Sequence, residues 1–570
     1  MLPMIGRCMM PLAGASLAVS ATAGEFARVE PDVSALPPEQ RVVAELLKVR
    51  VRERTSGSAD GAALRVKYLC DRSIGGDDGF VSLKGDLAEI RAGRFRGLVF
   101  ATGNLLKALR YGTSSFSVDD GFYDFTPKMP IRIAYTSRHY LNWYMESPAD
   151  EICRYLEDLA LDGINSFYFQ YAYPDVDRAR ANDEMVAAFL RTSRRMYDRA
   201  KSLDCEVGEH GGDNQLPMDA PEKFRGVPNS DPPRCNYGFN ACPEKPGALE
   251  ALMDYRREGL AALGDVRPDY FLHWPFDEGG CECEKCYPWG GKGYLKLIEK
   301  FHALNRAAHP EAKSLVSTWL FHDDDFDGLY EYLGTHDWID VILCDSHNDF
   351  PKYPLTHKIP GKTKIITFPE ISMWGRHPWG GYGAIACPER FERLFRQAEP
   401  VVSGFMYYSE GIFEDINKAV VTGLYVDPSA KVDDILRRYG AYHFAGTDPE
   451  DFVRLAHLFE ANHELRKMTC PNVTEAKRLA DRMDHEILPS LRGSWRWRLV
   501  WLRATVDREL LGTWTWGDKP PPEVLSYYDE ITRIYHAEEQ VKRLKAGFKG
   551  CGNTCPKYCK RGQNAAGNAP

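Results

Sequence analysis

The chain has 570 residues, a formal net charge of −9, and 44% hydrophobic and 27% charged residues. That length suggests about three domains, and the composition is that of a soluble globular protein. The mild negative charge offers no basic face for nucleic acid, and beyond the N-terminus no apolar run is long enough to span a bilayer. Aromatic residues reach 12%, with 12 Trp and 29 Tyr. Such rings stack on sugar faces, although large cores also use them.

Residues 1–24 read as an export signal. Arg7 supplies one positive charge, Cys8 to Ala18 is mostly small and apolar, and Ala21-Thr22-Ala23 is a small-x-small cleavage site before Gly24. The expectation is a secreted or periplasmic protein; the competing reading is a disordered leader. The 15 cysteines do not fix the compartment, because most are isolated and suit a buried core. Two groups are clustered: Cys281, Cys283 and Cys286, and near the end Cys551, Cys555 and Cys559.

A small mixed domain is expected over residues 40–127. Val42 to Val51 and Leu98 to Leu109 have helical spacing, while Ala63 to Cys70, Gly79 to Lys84 and Ala88 to Ala92 read as short strands between turn signals. It carries no evident chemistry and predicts a sheet with helices on one face, a support for the larger domain after it.

From Pro130 the rhythm changes. Eight apolar runs recur: Ile131 to Tyr135, Ile164 to Phe169, Cys205 to Gly208, Tyr270 to Trp274, Ser314 to Trp319, Trp338 to Cys344, Lys364 to Phe368 and Val402 to Tyr407. Helical intervals lie between most of them. Strand–helix alternation makes a parallel sheet, and eight units predict a closed (β/α)8 TIM barrel over residues 128–428. After it, helical spacing broken by prolines predicts an α-helical domain over 429–548, in which Trp495, Trp497 and Trp501 suit a core or interface. A flexible Cys-containing tail over 549–570 completes the chain.

A barrel puts its chemistry at the C-terminal ends of its strands. Those ends carry Arg138 with Trp143 nearby, then His210, then the pair Asp277-Glu278, then Trp319, then Asp345, then Glu370 with Trp374 and Trp379 after it, then Tyr407, Tyr408 and Glu410. Acids and aromatic rings meeting in one bowl give a sugar both stacking faces and partners for its hydroxyls. Two adjacent acids at the mouth of a buried strand repel, which favours one protonated and one charged, as acid-assisted bond cleavage requires. The bland alternative is a solvated turn. No cofactor is expected, and the expected partner is a glycan or polysaccharide.

The segment Trp274-Pro-Phe-Asp277-Glu278-Gly-Gly-Cys281-Glu-Cys283-Glu-Lys-Cys286, with Tyr407-Tyr408-Ser409-Glu410-Gly411 at the eighth strand, resembles the β-N-acetylhexosaminidase and α-glucuronidase group of glycoside hydrolases, including related bacterial endo-β-N-acetylglucosaminidases. The resemblance runs from Val42 to about Gly547. It implies Glu278 as general acid and Asp277 as the residue that orients the substrate's own acetamido group, whose oxygen is then the nucleophile. It further implies Arg138 as a holder of ring hydroxyls, Tyr407 or Tyr408 as a donor to the acetamido carbonyl, and Trp319, Trp374 and Trp379 as walls. The chain departs from the hexosaminidase pattern His-x-Gly-Gly-Asp-Glu, having His273-Trp-Pro-Phe-Asp-Glu. The α-glucuronidase-like alternative keeps Glu278 as acid and takes Glu370 or Asp345 as the base of an inverting reaction. Adjacency of the two acids favours the first. A non-catalytic carbohydrate-binding barrel is the third reading.

Cys281-x-Cys283-x-x-Cys286 comes directly after the acids. A disulfide staple is the favoured reading, with Cys235 or Cys242 as partner. A metal knuckle with Cys235, Cys242 or His210 as fourth ligand is the alternative. Either would pin the loop that carries Glu278.

Overall fold

The computed structural model describes residues 24–57, 60–139, 141–172, 181–227, 238–277, 279–372, 383–463, 469–511 and 519–538. The leader, the tail cysteines, Cys235, Glu278, Trp374 and Trp379 lie outside the described residues.

Eight parallel strands close into a barrel. In chain order they are Ile131–Thr136, Ser166–Tyr168, Glu206–Gly212, Tyr270–His273, Lys313–Ser317, Val341–Asp345, Lys364–Phe368 and Gly404–Ser409. The eighth closes on the first over the register Gly404↔Ile131 to Ser409↔Thr136. Side chains alternate across each strand, so one set fills the lumen and the other meets the helices. The lumen set is Ile133, Tyr168, Tyr270, Leu272, Leu315, Val341, Leu343, Ile366, Phe368 and Met406. Its neighbours in sequence, such as Phe167, Phe271, Val316, Cys344 and Phe405, sit in the outer clusters. The helices that cover them include Ala149–Leu161, Asp183–Ser202, Ala248–Leu263, Tyr294–Ala308, Asp323–Leu333, Pro388–Ala398 and Asp415–Val426.

All eight strands were expected, but several ends moved. The last begins at Gly404 rather than Val402. Gly404 has φ +155°, and a Cβ there would lie 1.8 Å from the Ile131 carbonyl oxygen, so the backbones touch where pairing starts. The sixth begins at Val341, later than Trp338, because Trp338 leaves the sheet to stack on His302 at 4.3 Å.

Before the barrel, Arg28–Asp32, Ala63–Cys70, Leu87–Ala92, Gly79–Lys84 and Gly121–Phe125 form a five-stranded sheet, and Gly24–Phe26, Phe116–Val118 and Arg110–Tyr111 form a second. The shortest strands were not anticipated, because two to five residues carry too little periodicity. After the barrel come helices, among them Val432–His443, Pro449–Ala461, Cys470–Glu486 and Trp495–Leu510. Trp497 is fully buried there and donates to Asp484 at 2.7 Å. No helix among the described residues is long and apolar enough to cross a membrane.

Buried charges join these parts. Arg50, in the helix Val42–Arg52, reaches Glu157 at 2.8 Å and Asp158 at 2.7 Å, and Arg496 bridges Asp158 at 3.0 Å to Asp415 at 2.8 Å. At the barrel's base, Asp77 meets Arg96 and Arg132 at 2.8 Å each and accepts from Asn165 at 2.8 Å. Burial alone would raise the Asp77 carboxyl, but the two guanidiniums and Asn165 outweigh it and hold it below 3.8. Asp77→Asn leaves two buried cations short of a counter-charge and should cost about 3–5 kcal/mol. Because the folded-state pKa is lowered, this contribution is present above pH 3.8 and fades as pH falls through and below it. The shift in urea midpoint between parent and variant should therefore be large at pH 7 and shrink toward pH 3; an equal shift at both would contradict the assignment.

Candidate active site

Lumen-facing positions at the strand ends build a continuous aromatic floor. Tyr135 packs edge-on against Tyr168 at 4.7 Å and Tyr408 at 5.3 Å. Tyr408 meets Phe368 at 6.2 Å, Phe368 meets Trp274 at 4.9 Å, and Trp274 meets Trp319 at 6.0 Å. His347 lies 4.9 Å beyond Trp319. Tyr135, Trp274, Trp319 and Tyr408 each keep part of their surface open. Their rings therefore line the bowl as well as close the core beneath it.

Carboxylates rim this floor. Asp345 pairs with Phe368 in register and shares the lumen parity of Val341 and Leu343. Its side chain is 29% exposed. Oδ1 accepts from the His347 backbone at 3.1 Å and lies 2.8 Å from His347 Nδ1; among the described residues nothing bonds Oδ2. Glu370 bridges beside Tyr408. It is buried, and its Oε1 accepts from Ser372 N at 2.6 Å and Ser372 Oγ at 2.9 Å. Arg390 donates to the Glu370 and His347 carbonyls, tying the sixth and seventh strand ends together.

At the eighth end, Glu410 is wholly buried. Oε2 accepts from Asn142 at 2.7 Å, and Oε1 accepts the Tyr408 hydroxyl. His139 Nε2 lies 3.0 Å from that hydroxyl. Burial pushes His139 down to about 3, so the ring is neutral, and with the phenol proton directed at Glu410 its Nε2 is the donor. Glu414 accepts from Ser409 Oγ and from the Glu410 and Gly411 amides, fixing the turn. Glu410 thus positions Tyr408.

Asp277 is half-buried beyond the fourth strand. Burial, then the charges of Glu410, Asp277 and Glu209, push the Tyr135 phenol well above its ordinary value. Asp277 and Glu410 therefore act on the same lumen ring. The loop is clamped from the third strand's end: Asn214 accepts from Phe276 N at 2.9 Å and donates to Gly279 O at 2.9 Å, while Asn240 donates to Gly280 O at 2.6 Å. Gly279 has φ +77°, and a Cβ on Gly280 would lie 1.8 Å from the Trp289 ring, so both glycines are required by the turn.

Other expected residues go elsewhere. Arg138 is fully buried; its guanidinium donates to the Tyr144 carbonyl and Ser193 and lies 3.6 Å over the Phe189 ring, which occupies it with packing rather than ring hydroxyls. Trp143 is buried against Tyr144 and Tyr155. Tyr407 has the outward parity of Phe405 and stacks on it at 5.4 Å, so of the two tyrosines only Tyr408 faces the lumen. His210 keeps lumen parity, opposite Leu272, with Nε2 3.5 Å from Asp213. Tyr135, His139 and Trp274 were not expected as site residues; counting alternate residues back along each strand would have found Tyr135 and Trp274. Glu209 is also new: burial pushes it up to about 7, and it accepts from Tyr171 N at 2.9 Å.

Beyond this loop, the thiols of Cys242, Cys281, Cys283 and Cys286 all lie within 4.8 Å of one another. Cys242 therefore joins the three cysteines, whereas His210 pairs with Asp213.

The architecture is that of a (β/α)8 barrel with its polar groups at the strands' C-terminal mouth. Among solved structures, a family 89 glycoside hydrolase from Clostridium perfringens, in complex with GlcNAc-α-1,4-galactose, is similar with a TM-score of 0.58 and 12% identity over 87% of this chain and 64% of that one. A family GH115 4-O-methyl-α-glucuronidase, BtGH115A, described as specific for decorated arabinogalactans, gives 0.57 and 10% over 91% and 77%. A GH138 enzyme targeting pectin rhamnogalacturonan II gives 0.53 and 11% over 90% and 73%. This chain spans less than two thirds of the family 89 structure. No family model matches the chain, and no curated protein matches it. At such identities the likeness is one of fold.

Proposed function

We propose that the chain is a glycoside hydrolase whose bowl binds a sugar on the Trp274–Trp319–Tyr408 face. Glu278, from the clamped loop, donates the proton to the leaving oxygen, and a carboxylate across the bowl completes the reaction. The observation that carries this reading is the unbroken aromatic floor with carboxylates from the sixth, seventh and eighth strand ends beside it and the charge of Asp277 acting on its Tyr135 ring. Stacking faces beside acids are what glycosidic cleavage needs. The neighbours named above act on or bind glycans by their descriptions, which supports the same class.

Within that class, the geometry favours the two-carboxylate reading over the acetamido one. Tyr407 points away from the lumen and Tyr408 is committed to Glu410 and His139, so the acetamido reading loses its tyrosine donor. Among the described residues nothing bonds one Asp345 oxygen while His347 holds the other, which suits a base that aligns a water. We assign Asp345 as that base, with Glu370 shaping its flank. A hexosaminide substrate, with Asp277 orienting an acetamido group, is the second reading; the ligand in the family 89 structure favours it. Proton NMR of the sugar released in the first minutes separates them. An inverted anomer supports Asp345 as base, and a retained anomer contradicts it.

A further inference from the structure

We propose that Cys242, Cys281, Cys283 and Cys286 hold one zinc ion in a closed tetrahedral site that anchors the loop carrying Asp277 and Glu278. Four thiols gather here from two segments, and all four sulfurs lie within 4.8 Å of one another. Cys242 Sγ is 3.7 Å from Cys286 Sγ and 3.8 Å from Cys283 Sγ. Zinc–sulfur bonds of about 2.3 Å place tetrahedral ligands ~3.8 Å apart along each edge. A disulfide needs a sulfur separation of about 2.05 Å and pairs each sulfur with one other. Here Cys242 stands at nearly equal distance from two.

The surroundings suit thiolates. The Val227 amide points at Cys281 Sγ at 3.3 Å, the Cys283 amide also bonds Cys281, and the Glu244 amide bonds Cys242. Such N–H groups spread the charge that four thiolates keep when zinc displaces their protons. Cys283 to Cys286 forms a tight turn, with the Cys286 and Tyr287 amides both donating to the Cys283 carbonyl at 2.9 Å, the shape of a two-ligand knuckle. Cys242, Cys281 and Cys286 are buried and Cys283 is partly open. With four protein ligands no coordination position is left for water or substrate, so the role is structural.

Its placement gives that role a target. Asn240, which holds Gly280 O, lies just before Cys242, and Cys281 is the residue after Gly280. Trp289, packed on Gly280, lies three residues past Cys286. The zinc therefore ties both flanks of the clamp to the turn that bears the acid pair.

The test uses the full chain purified with zinc and without reductant. Elemental analysis should give about one zinc per chain, and Cys283→Ser should lower it at least ~tenfold, while Cys470→Ser, at an exposed site, retains it. Under denaturing conditions with chelator and no reductant, the four cysteines should all alkylate. The proposal is overturned if they alkylate only after reduction, which marks disulfides, or if the parent lacks stoichiometric zinc. Should Cys283→Ser fail to fold, zinc content and alkylation of the parent decide alone. The link to the acid pair rests on the proposed activity. On that reading, chelator-stripped enzyme loses kcat and regains it with zinc; unchanged kcat removes the link but leaves the zinc assignment standing.

Discussion

Glu278→Gln is expected to lower kcat/KM by roughly 10³-fold on glycosides with poor leaving groups, and by much less on those that leave as stabilised phenolates. The reason lies in what the acid supplies. A departing alkoxide needs its proton during bond cleavage, whereas a nitrophenolate hardly does. A structural Glu278 would not discriminate between leaving groups, because a misplaced loop slows every substrate alike. The clamp from Asn214 and Asn240 argues that glutamine, of the same size, leaves Asp277 and Gly279 where they are. Equal losses across leaving groups would contradict the acid role.

The second large effect falls on Asp345. Asp345→Asn removes the charge facing the bowl, and hydrolysis should drop by about 10³-fold with KM changed far less. Glu370→Gln serves as its comparison. Glu370 is buried and bound through Oε1 to Ser372, so its loss should act through shape and give a smaller deficit with a shifted KM. If Glu370→Gln is the more damaging change and Asp345→Asn is mild, the two assignments exchange. If neither matters while Asp277→Asn is severe, the acetamido reading takes their place.

Much of the fold was legible because a parallel barrel strand is buried on both faces and reads as a short apolar run between amphipathic helices. Lys364–Phe368 fell where the pattern placed it, as did Ala63–Cys70 and Gly79–Lys84 ahead of the barrel. What periodicity does not give is the side on which a strand's last residues point. Tyr407 and Tyr408 look alike in sequence, and only the parity set by Met406 in the lumen separates them. Arg138 misled for a related reason: it stands at a strand end, yet turns into the packing against the helix Asp183–Ser202. Glu410 read as a ligand for hydroxyls, while Asn142, distant in sequence, and Tyr408 claim both its oxygens. The fourth cysteine was open among three candidates because a helix and a barrel strand separate Cys242 from Cys281, and no local spacing rule crosses that gap.

Sugar release separates a hydrolase from a barrel that only binds. The unmodified chain should be incubated with a panel of nitrophenyl glycosides covering N-acetylhexosaminides and uronides of both anomers, with sugar binding followed in parallel. At least one member should be hydrolysed with catalytic turnover. Binding of a sugar with no release from any member would contradict it and leave a carbohydrate-binding barrel in its place.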